Sequence, residues 1–394
     1  MKKLNKKECC GCTACLHVCP VGCISMQEDS EGFLYPVVEK NQCIQCHQCE
    51  NVCPVQKTEQ VYMNTKTFVG YNRDEEIRQQ SSSGGIFSAI AEWILQQNGV
   101  VVGAAFDKDF EVHHIAIETK EELEILRGSK YVQSRMDDIY PAVKKYLEME
   151  RQVLFTGTAC QIAGLKKYLK KEYDNLYTVD VLCHGVPSPK IWRMYLDEVK
   201  KQYHSELEKI EFRNKEKGWK NYLINIQFSD GQQYSELFYN NHFMKMFLDN
   251  IDLRPSCYGC KFKSLPRISD MTIGDSWGIE NCMPEMDDDK GTSVILVHSL
   301  KGETMFEAIR KNLIVREARL DWVLPPTAES RKSVAMHPNR KKYWEGVKRG
   351  EDFENLCGYV PKNFLQRVFG LVRYIAVRLN EKQQGLNKKD EMGR

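Results

Sequence analysis

Between Cys9 and Cys53 the chain repeats one cysteine pattern, and this repeat restricts the possible folds more than any other feature of the sequence. The first copy is Cys9, Cys12, Cys15 and Cys19-Pro20; the second is Cys43, Cys46, Cys49 and Cys53-Pro54. Both read C-x-x-C-x-x-C-x-x-x-C-P, the spacing of a bacterial ferredoxin that carries two 4Fe-4S clusters. Three thiolates set two residues apart wrap one face of a cubane, and the fourth, turned away by proline, serves the other cluster. The expected ligand sets are therefore Cys9, Cys12, Cys15 and Cys53 for one cluster, and Cys43, Cys46, Cys49 and Cys19 for the second. A disulfide framework needs an oxidising compartment, and zinc ribbons rarely place a triple-cysteine run before Cys-Pro twice. Cys10 and Cys23 fall outside the pattern and read as small buried residues, not ligands.

A chain of 394 residues is much longer than a ferredoxin and has room for two or three domains with a sizeable core. The net charge of +2 provides no global basic field for nucleic acid. No apolar signal segment follows the basic Met1-Lys2-Lys3, and Ile86 to Phe106, the nearest approach to a membrane span, is broken by Glu92, Gln96, Gln97 and Asn98. With so many free thiols, the expected compartment is the reducing cytoplasm.

The ferredoxin segment should end soon after Cys53-Pro54, with Gln56 to Gln60 and Asn64-Thr65-Lys66 as a polar linker. A second region opens with the strand-like Phe68-Val69-Gly70-Tyr71. Ser81-Ser82-Ser83-Gly84-Gly85 then leads into an apolar helix from Ile86 to Gln97. Free backbone N–H groups at such a start favour an anion, although an ordinary helix cap reads the same way. Val100 to Phe106 is a buried strand, and Ile115 to Ile117 is another. Arg127-Gly128-Ser129-Lys130-Tyr131 is a turn flanked by two cations, equally suited to clamping an anion or to facing solvent.

Val153-Leu154-Phe155, a helix from Gln161 to Leu169 and Tyr177 to Leu182 form a strand–helix–strand unit with parallel strands. Cys160 and Cys183 then fall beyond the carboxyl ends of neighbouring strands, where open α/β sheets build ligand crevices. Cys257-Tyr258-Gly259-Cys260 adds a C-x-x-C turn, which brings the total to the four thiols that a third 4Fe-4S cluster requires. The same four would also serve a structural zinc or stand as unrelated buried thiols.

Seven further segments carry a resemblance. They are Ser81 to Phe87, Arg127 to Ser134, Leu154 to Gln161, Cys183 to Pro189, Phe212 to Lys215 with Gly218-Trp219, Arg254 to Cys260, and Ser269-Asp270 with Gly274 to Gly278. Together they resemble the coenzyme F420 hydrogenase/dehydrogenase beta-subunit family from about the first cysteine to near Leu300. The resemblance implies FAD and a third 4Fe-4S cluster on Cys160, Cys183, Cys257 and Cys260. It implies an oxidoreductase that moves electrons between ferredoxin-type clusters and FAD, with hydride exchange to the deazaflavin coenzyme or another acceptor. Relatives headed by a ferredoxin accompany polysaccharide-building enzymes, which makes polysaccharide biosynthesis one setting. The alternative is a non-catalytic electron-transfer subunit feeding a partner enzyme. Membership of these motifs nominates Ser83, Gly84, Gly85, Lys130, Arg213 and Lys215 as phosphate or flavin contacts, Asp275 and Trp277 as pocket wall, and His184 as a proton or hydrogen-bond donor. Ala159 departs from the family, whose members usually have proline before this cysteine; no ligand is lost.

Beyond Leu300 the resemblance fades. Glu303 to Asn312 reads as an amphipathic helix, Cys357 as an inert thiol, and Phe364 to Leu379 as a basic amphipathic helix suited to its own core, a subunit or a membrane surface. The tail beyond Glu381 should be disordered. The expected fold is α+β, a dicluster ferredoxin followed by an α/β flavin- and iron–sulfur-binding domain. The expected spans are 1–60 for the ferredoxin, 67–145 and 150–315 for the two beta-subunit regions, and 316–394 for a C-terminal extension. Expected partners are a redox protein or small electron donor and a small-molecule substrate, with no nucleic acid.

Overall fold

The computed structural model describes residues 5–56, 65–265 and 267–360. The helix expected over Phe364 to Leu379, the tail beyond it and most of the linker lie outside these residues.

In the N-terminal segment each cysteine run contains a single helical turn around its third cysteine, Ala14–His17 in the first and Gln48–Asn51 in the second. Strands β1 (Ile24–Glu28) and β2 (Leu34–Val38) pair antiparallel between the runs. The repeat in sequence is a repeat in backbone: Gly11 and Gln45 have φ of 73° and 54°, and Thr13 and His47 have 63° and 58°. Left-handed residues set among right-handed ones turn successive N–H groups toward one concavity, the arrangement that receives anionic iron–sulfur centres.

The rest of the chain is built on one eight-stranded sheet. In chain order its first strands are β3 (Lys66–Asn72), β4 (Val100–Phe106), β5 (Val112–Ile117), β6 (Val153–Gly157) and β7 (Leu176–Val181). A separate antiparallel sheet follows, made of β8 (Leu207–Asn214), β9 (Leu223–Phe228) and β10 (Gln233–Leu237). The chain then returns to the large sheet with β11 (Met271–Asp275), β12 (Ser293–Val297) and β13 (Leu313–Glu317), giving the order β13-β3-β12-β11-β7-β6-β4-β5. The central strands β4, β6, β7 and β11 run parallel and the flanking pairs antiparallel. Their near-continuous apolar runs suit a sheet covered on both faces. Residues Val100, Val101, Val102, Val153, Leu154 and Phe155 are fully buried.

The expected strand–helix–strand unit is present, with Leu154 opposite Tyr177 and the helix Ala159–Leu169 between the strands. The spans 67–145 and 150–315 do not form separate sheets, since β3 lies between β12 and β13. β13 itself continues to Glu317, two residues past the expected end of the second span. The helix expected from Glu303 begins earlier, at Leu300, and ends in a 3-10 turn, Arg310–Asn312. Among the described residues no helix is long and apolar enough to cross a membrane.

The ferredoxin segment sits firmly against this body. Helix Ala159–Leu169 meets the first cysteine loop at Gly164, where an added Cβ would lie 2.7 Å from the Cys12 Cβ. Hydrogen bonds from Arg254 to the Cys9 carbonyl (2.8 Å), Gln133 to the Cys10 carbonyl (3.2 Å) and Lys261 to the Val55 carbonyl (3.1 Å) fix the same face. Arg340 pairs with Glu31 through both guanidinium nitrogens, so the basic run at 340–342 is partly committed to the interface.

Candidate functional site

The parallel strands end along one edge of the sheet, and the chemistry-bearing residues collect beyond it. β6 leads through Thr158 into the helix carrying Cys160, β7 leads to Cys183 and His184, and β11 leads to Asp275 and Trp277. Cys160 lies in the first turn of its helix with the Thr158 hydroxyl 3.1 Å from its sulfur, yet the adjacent Cys10 thiol and then burial push it well above the usual thiol range. Gln161 accepts from the Thr158 N–H at 2.8 Å and fixes that helix start.

Cys160, Cys183, Cys257 and Cys260 line one cavity of about 70 Å³. Cys10, expected as a bystander, lines it as well and stands beside the Cys160 and Cys12 thiols. Arg254, Lys261, Lys263 and Arg267 surround the same space. The buried Lys263 donates to the His184 and Glu329 carbonyls at 2.6 and 2.8 Å, and the Nε of Arg267 has no partner. Burial, then the neighbouring thiols, pushes Cys257 up to about 12 and Cys183 still higher. Metal binding must displace such protons outright.

In the ferredoxin segment Cys15 is pushed up to about 12, first by burial, then by the proximity of Cys9 and Cys53. The Cys-Pro cysteine of the second run thus stands beside the first run. On the other side Cys19 lies 3.4 Å from Cys23, which also stands beside Cys43. Cys23, passed over in the sequence, therefore joins Cys19 to the second run. Among the described residues no three His, Cys, Asp or Glu side chains converge as one metal ion would require.

A second cavity, about 690 Å³, opens beside the first and shares Thr158, Gln161, Cys183, Gly185 and Val186 with its wall. The expected residues Ser83, Gly85, Lys130, His184, Arg213, Asp275 and Trp277 all line it. Gly85, which lines the cavity, caps the helix Ile86–Leu95 in a left-handed conformation with no side-chain bond to its first amides. Ser82 ties this loop to the Arg127 turn by accepting from the Ser129 amide and hydroxyl at 2.6 and 2.9 Å.

Two expected contacts sit elsewhere. Lys215 lies behind the serine loop, its buried ammonium donating to the carbonyls of Arg78, Ser83 and Lys290 at 2.6, 3.0 and 2.7 Å. Burial lowers it to about 7, and it braces the loop from the side away from the cavity. Gly84 is required by packing, since a Cβ there would lie 2.6 Å from the Gly70 carbonyl oxygen.

The far wall is an aromatic and ionic cluster. Asp275 accepts from Arg213 at 2.8 Å and from the Trp219 indole at 3.0 Å, while Trp219 stacks on Trp277 at 4.4 Å. Burial opposes the charge on Arg213, but Asp275 more than restores it and holds the guanidinium protonated; its Nε has no partner. Lys130 donates to three carbonyls of its own turn, and burial lowers it to about 7. His184 has one ring nitrogen 2.7 Å from Asn250 and the other 3.2 Å from Glu329, so both are engaged by protein.

His114 was missed in the sequence. It lines the large cavity fully buried, bonds to the Ser134 hydroxyl at 2.6 Å and the Thr156 carbonyl at 3.1 Å, and is held neutral by burial, at about 4. Only the pairing of β5 beside β4 brings it to this edge, and the strand's own sequence carries no sign of that.

This geometry belongs to an iron–sulfur oxidoreductase with a ferredoxin joined to an α/β body. The chain is a member of the coenzyme F420 hydrogenase/dehydrogenase beta-subunit family: residues 67–139 match its N-terminal part and residues 150–321 its C-terminal part. Residues 8–57 match the 4Fe-4S dicluster domain. Among solved structures, a chain from the F420-reducing [NiFe] hydrogenase complex of Methanosarcina barkeri is similar at 17% identity and a TM-score of 0.46, covering 74% of this chain and 94% of that one. No curated protein matches this chain.

Proposed function

We propose that the protein passes electrons between its two ferredoxin clusters and FAD by way of a third 4Fe-4S cluster, and that FAD exchanges hydride with the deazaflavin coenzyme or another conjugated acceptor. One observation carries this reading. A small cavity lined by four cysteines and ringed by four cations shares its wall, Cys183 included, with a cavity large enough for a cofactor. The four thiols match the ligand count of a cubane, and the cations suit its negative charge. Cys9, Cys12, Cys15 and Cys53 would hold the outer cluster nearer this cavity, and Cys43, Cys46, Cys49 and Cys19 the other.

Bound clusters supply one-electron carriage, and bound flavin supplies the conversion to two-electron hydride chemistry. The chain supplies position and electrostatics. The helix start at Ile86 and the guanidinium of Arg213 offer contacts for the cofactor's phosphates, and Lys130, its ammonium bonded to three carbonyls, holds the shape of the turn beside them. Trp277 and Tyr222 offer flat apolar wall, and the Asp275 bridge keeps Arg213 in place. His184, tethered between Asn250 and Glu329, presents an oriented ring edge beside Cys183.

Anaerobically purified protein should contain about twelve irons and twelve acid-labile sulfides, four of each per cluster, together with acid-releasable FAD. Cys257→Ser should fall to about eight irons with both outer clusters still reducible. About eight irons in the parent would remove the third cluster, and iron without flavin would favour a subunit that feeds a partner enzyme.

A further inference from the structure

Arg254 is fully buried, at 1% exposure, between the first cysteine loop and the small cavity. Its Nε donates to the Cys9 carbonyl at 2.8 Å and its Nη1 to the Gln133 side chain at 2.8 Å. Its Nη2 reaches the Leu34 carbonyl at 2.9 Å and the Cys9 sulfur at 3.8 Å. The ring of Tyr35 lies 4.3 Å from the guanidinium carbon. All these partners are carbonyls, an amide, an aromatic face and a thiol, with no carboxylate among them. Other buried guanidiniums of the chain are matched by acids: Arg267 by Asp180 and Arg213 by Asp275. A buried cation without a counter-charge is costly enough that its partner should be sought close by. Thiols flank Arg254, Cys9 on one side and Cys160 and Cys257 on the other.

We propose that Arg254 is a counter-cation shared by the outer cluster on Cys9 and the inner cluster on Cys160 and Cys257, and that it sets how readily each accepts an electron. The inference rests on the reading that an inner cluster occupies the small cavity. Each reduction adds one electron and no proton, so a fixed cation must balance the added charge. Hydrogen bonds to cluster sulfurs and nearby charge both act on the reduction potential. One cation between two centres favours an electron on either and softens the repulsion between two.

The test is an EPR-monitored redox titration of the full-length protein, prepared anaerobically, as parent, Arg254→Gln and Arg254→Lys. Arg254→Gln should make both centres at least tenfold harder to reduce, about 59 mV per one-electron step. Arg254→Lys keeps the charge but loses the rigid fork. It should stay closer to the parent in potential even where its hydrogen bonds are poorer. A glutamine variant with full iron and parental potentials overturns the proposal and leaves the third cluster untouched. A lysine variant as displaced as the glutamine variant, or loss of iron from both, shows a scaffolding role and also overturns it. About eight irons in the parent defeats the underlying reading, and the shared role with it, whatever the variants do.

Discussion

Gly164 offers the sharpest test of how the ferredoxin meets the body, because two effects of opposite sign compete there. It lies inside the helix Ala159–Leu169, where alanine is favoured over glycine by about 1 kcal/mol on propensity alone. A Cβ at Gly164 would, however, stand 2.7 Å from the Cys12 Cβ, 2.7 Å from the Tyr140 hydroxyl and 3.0 Å from the Cys12 sulfur. None of these is the loose end of a flexible chain. Cys12 is held by its loop, and Tyr140 is fully buried with its hydroxyl donating to the Gln161 carbonyl at 2.7 Å. Overpacking of this kind costs about 1–3 kcal/mol, so Gly164→Ala should be a net loss on the order of 1 kcal/mol. The first cysteine loop should move with it. Anaerobic guanidinium unfolding, followed by circular dichroism and by visible cluster absorbance, measures the first effect, and the EPR signal of the nearer outer cluster the second. A variant about 1 kcal/mol more stable than the parent, with an unaltered signal, would show that helix propensity wins and that Cys12 does not pack on Gly164.

Cys19→Ala should damage the cluster built on Cys43, Cys46 and Cys49 while sparing the cluster of its own run, because Cys19 reaches the second run through Cys23; EPR showing loss confined to the first run refutes the cross-ligation. Stability should also fall in mild acid. His114 and His298, both buried, are lowered by burial to about 4, against roughly 6.5 in the unfolded chain. As pH falls from 6.5 toward 4 the unfolded chain binds these protons first, so each histidine removes about 1 kcal/mol of stability per pH unit and about 3 kcal/mol in all. His298→Gln should flatten the dependence of denaturation midpoint on pH across that window, and parallel slopes for parent and variant would exclude the effect.

What could be read in the sequence was local. The cysteine runs fix their own loops, and β6, its helix and β7 announce themselves by apolar periodicity and by the parallel pairing that a crossover imposes. What could not be read depends on partners far along the chain. Lys215 stands in the same short motif as Arg213, yet Arg213 lines the large cavity and bonds Asp275 while Lys215 is taken up by the Arg78, Ser83 and Lys290 carbonyls. Cys10 sits next to a ligand in sequence, and nothing in its neighbours shows that helix Ala159–Leu169 will bring Cys160 against it. The insertion of β3 between β12 and β13 joins residues more than two hundred positions apart, a pairing with no local signature.

The ferredoxin segment is held to the body by oriented contacts. A tethered carrier would meet its body through exposed ion pairs, each worth little and easily exchanged. Here, besides the side-chain pairs Arg340–Glu31 and Arg193–Glu28, many bonds run to main chain: Arg254 to the carbonyls of Cys9 and Leu34, Gln133 to Cys10, Ser188 to Glu31, Lys261 to Val55, and the ring of His17 to Asp137. Bonds to backbone carbonyls fix orientation as well as proximity, and several of them flank the cysteines. Gly32, with φ of 84°, lets the hairpin turn come so close to the helix Pro189–Tyr203 that a Cβ would lie 2.4 Å from the Lys190 Cβ, so the opposite end of the segment is held as well. A segment pinned at both ends does not swing to deliver charge. On the proposed reading, electron passage in this chain is a matter of fixed distances and of the charges standing between the cysteines, set by the packing around Cys10, Gly164 and Arg254.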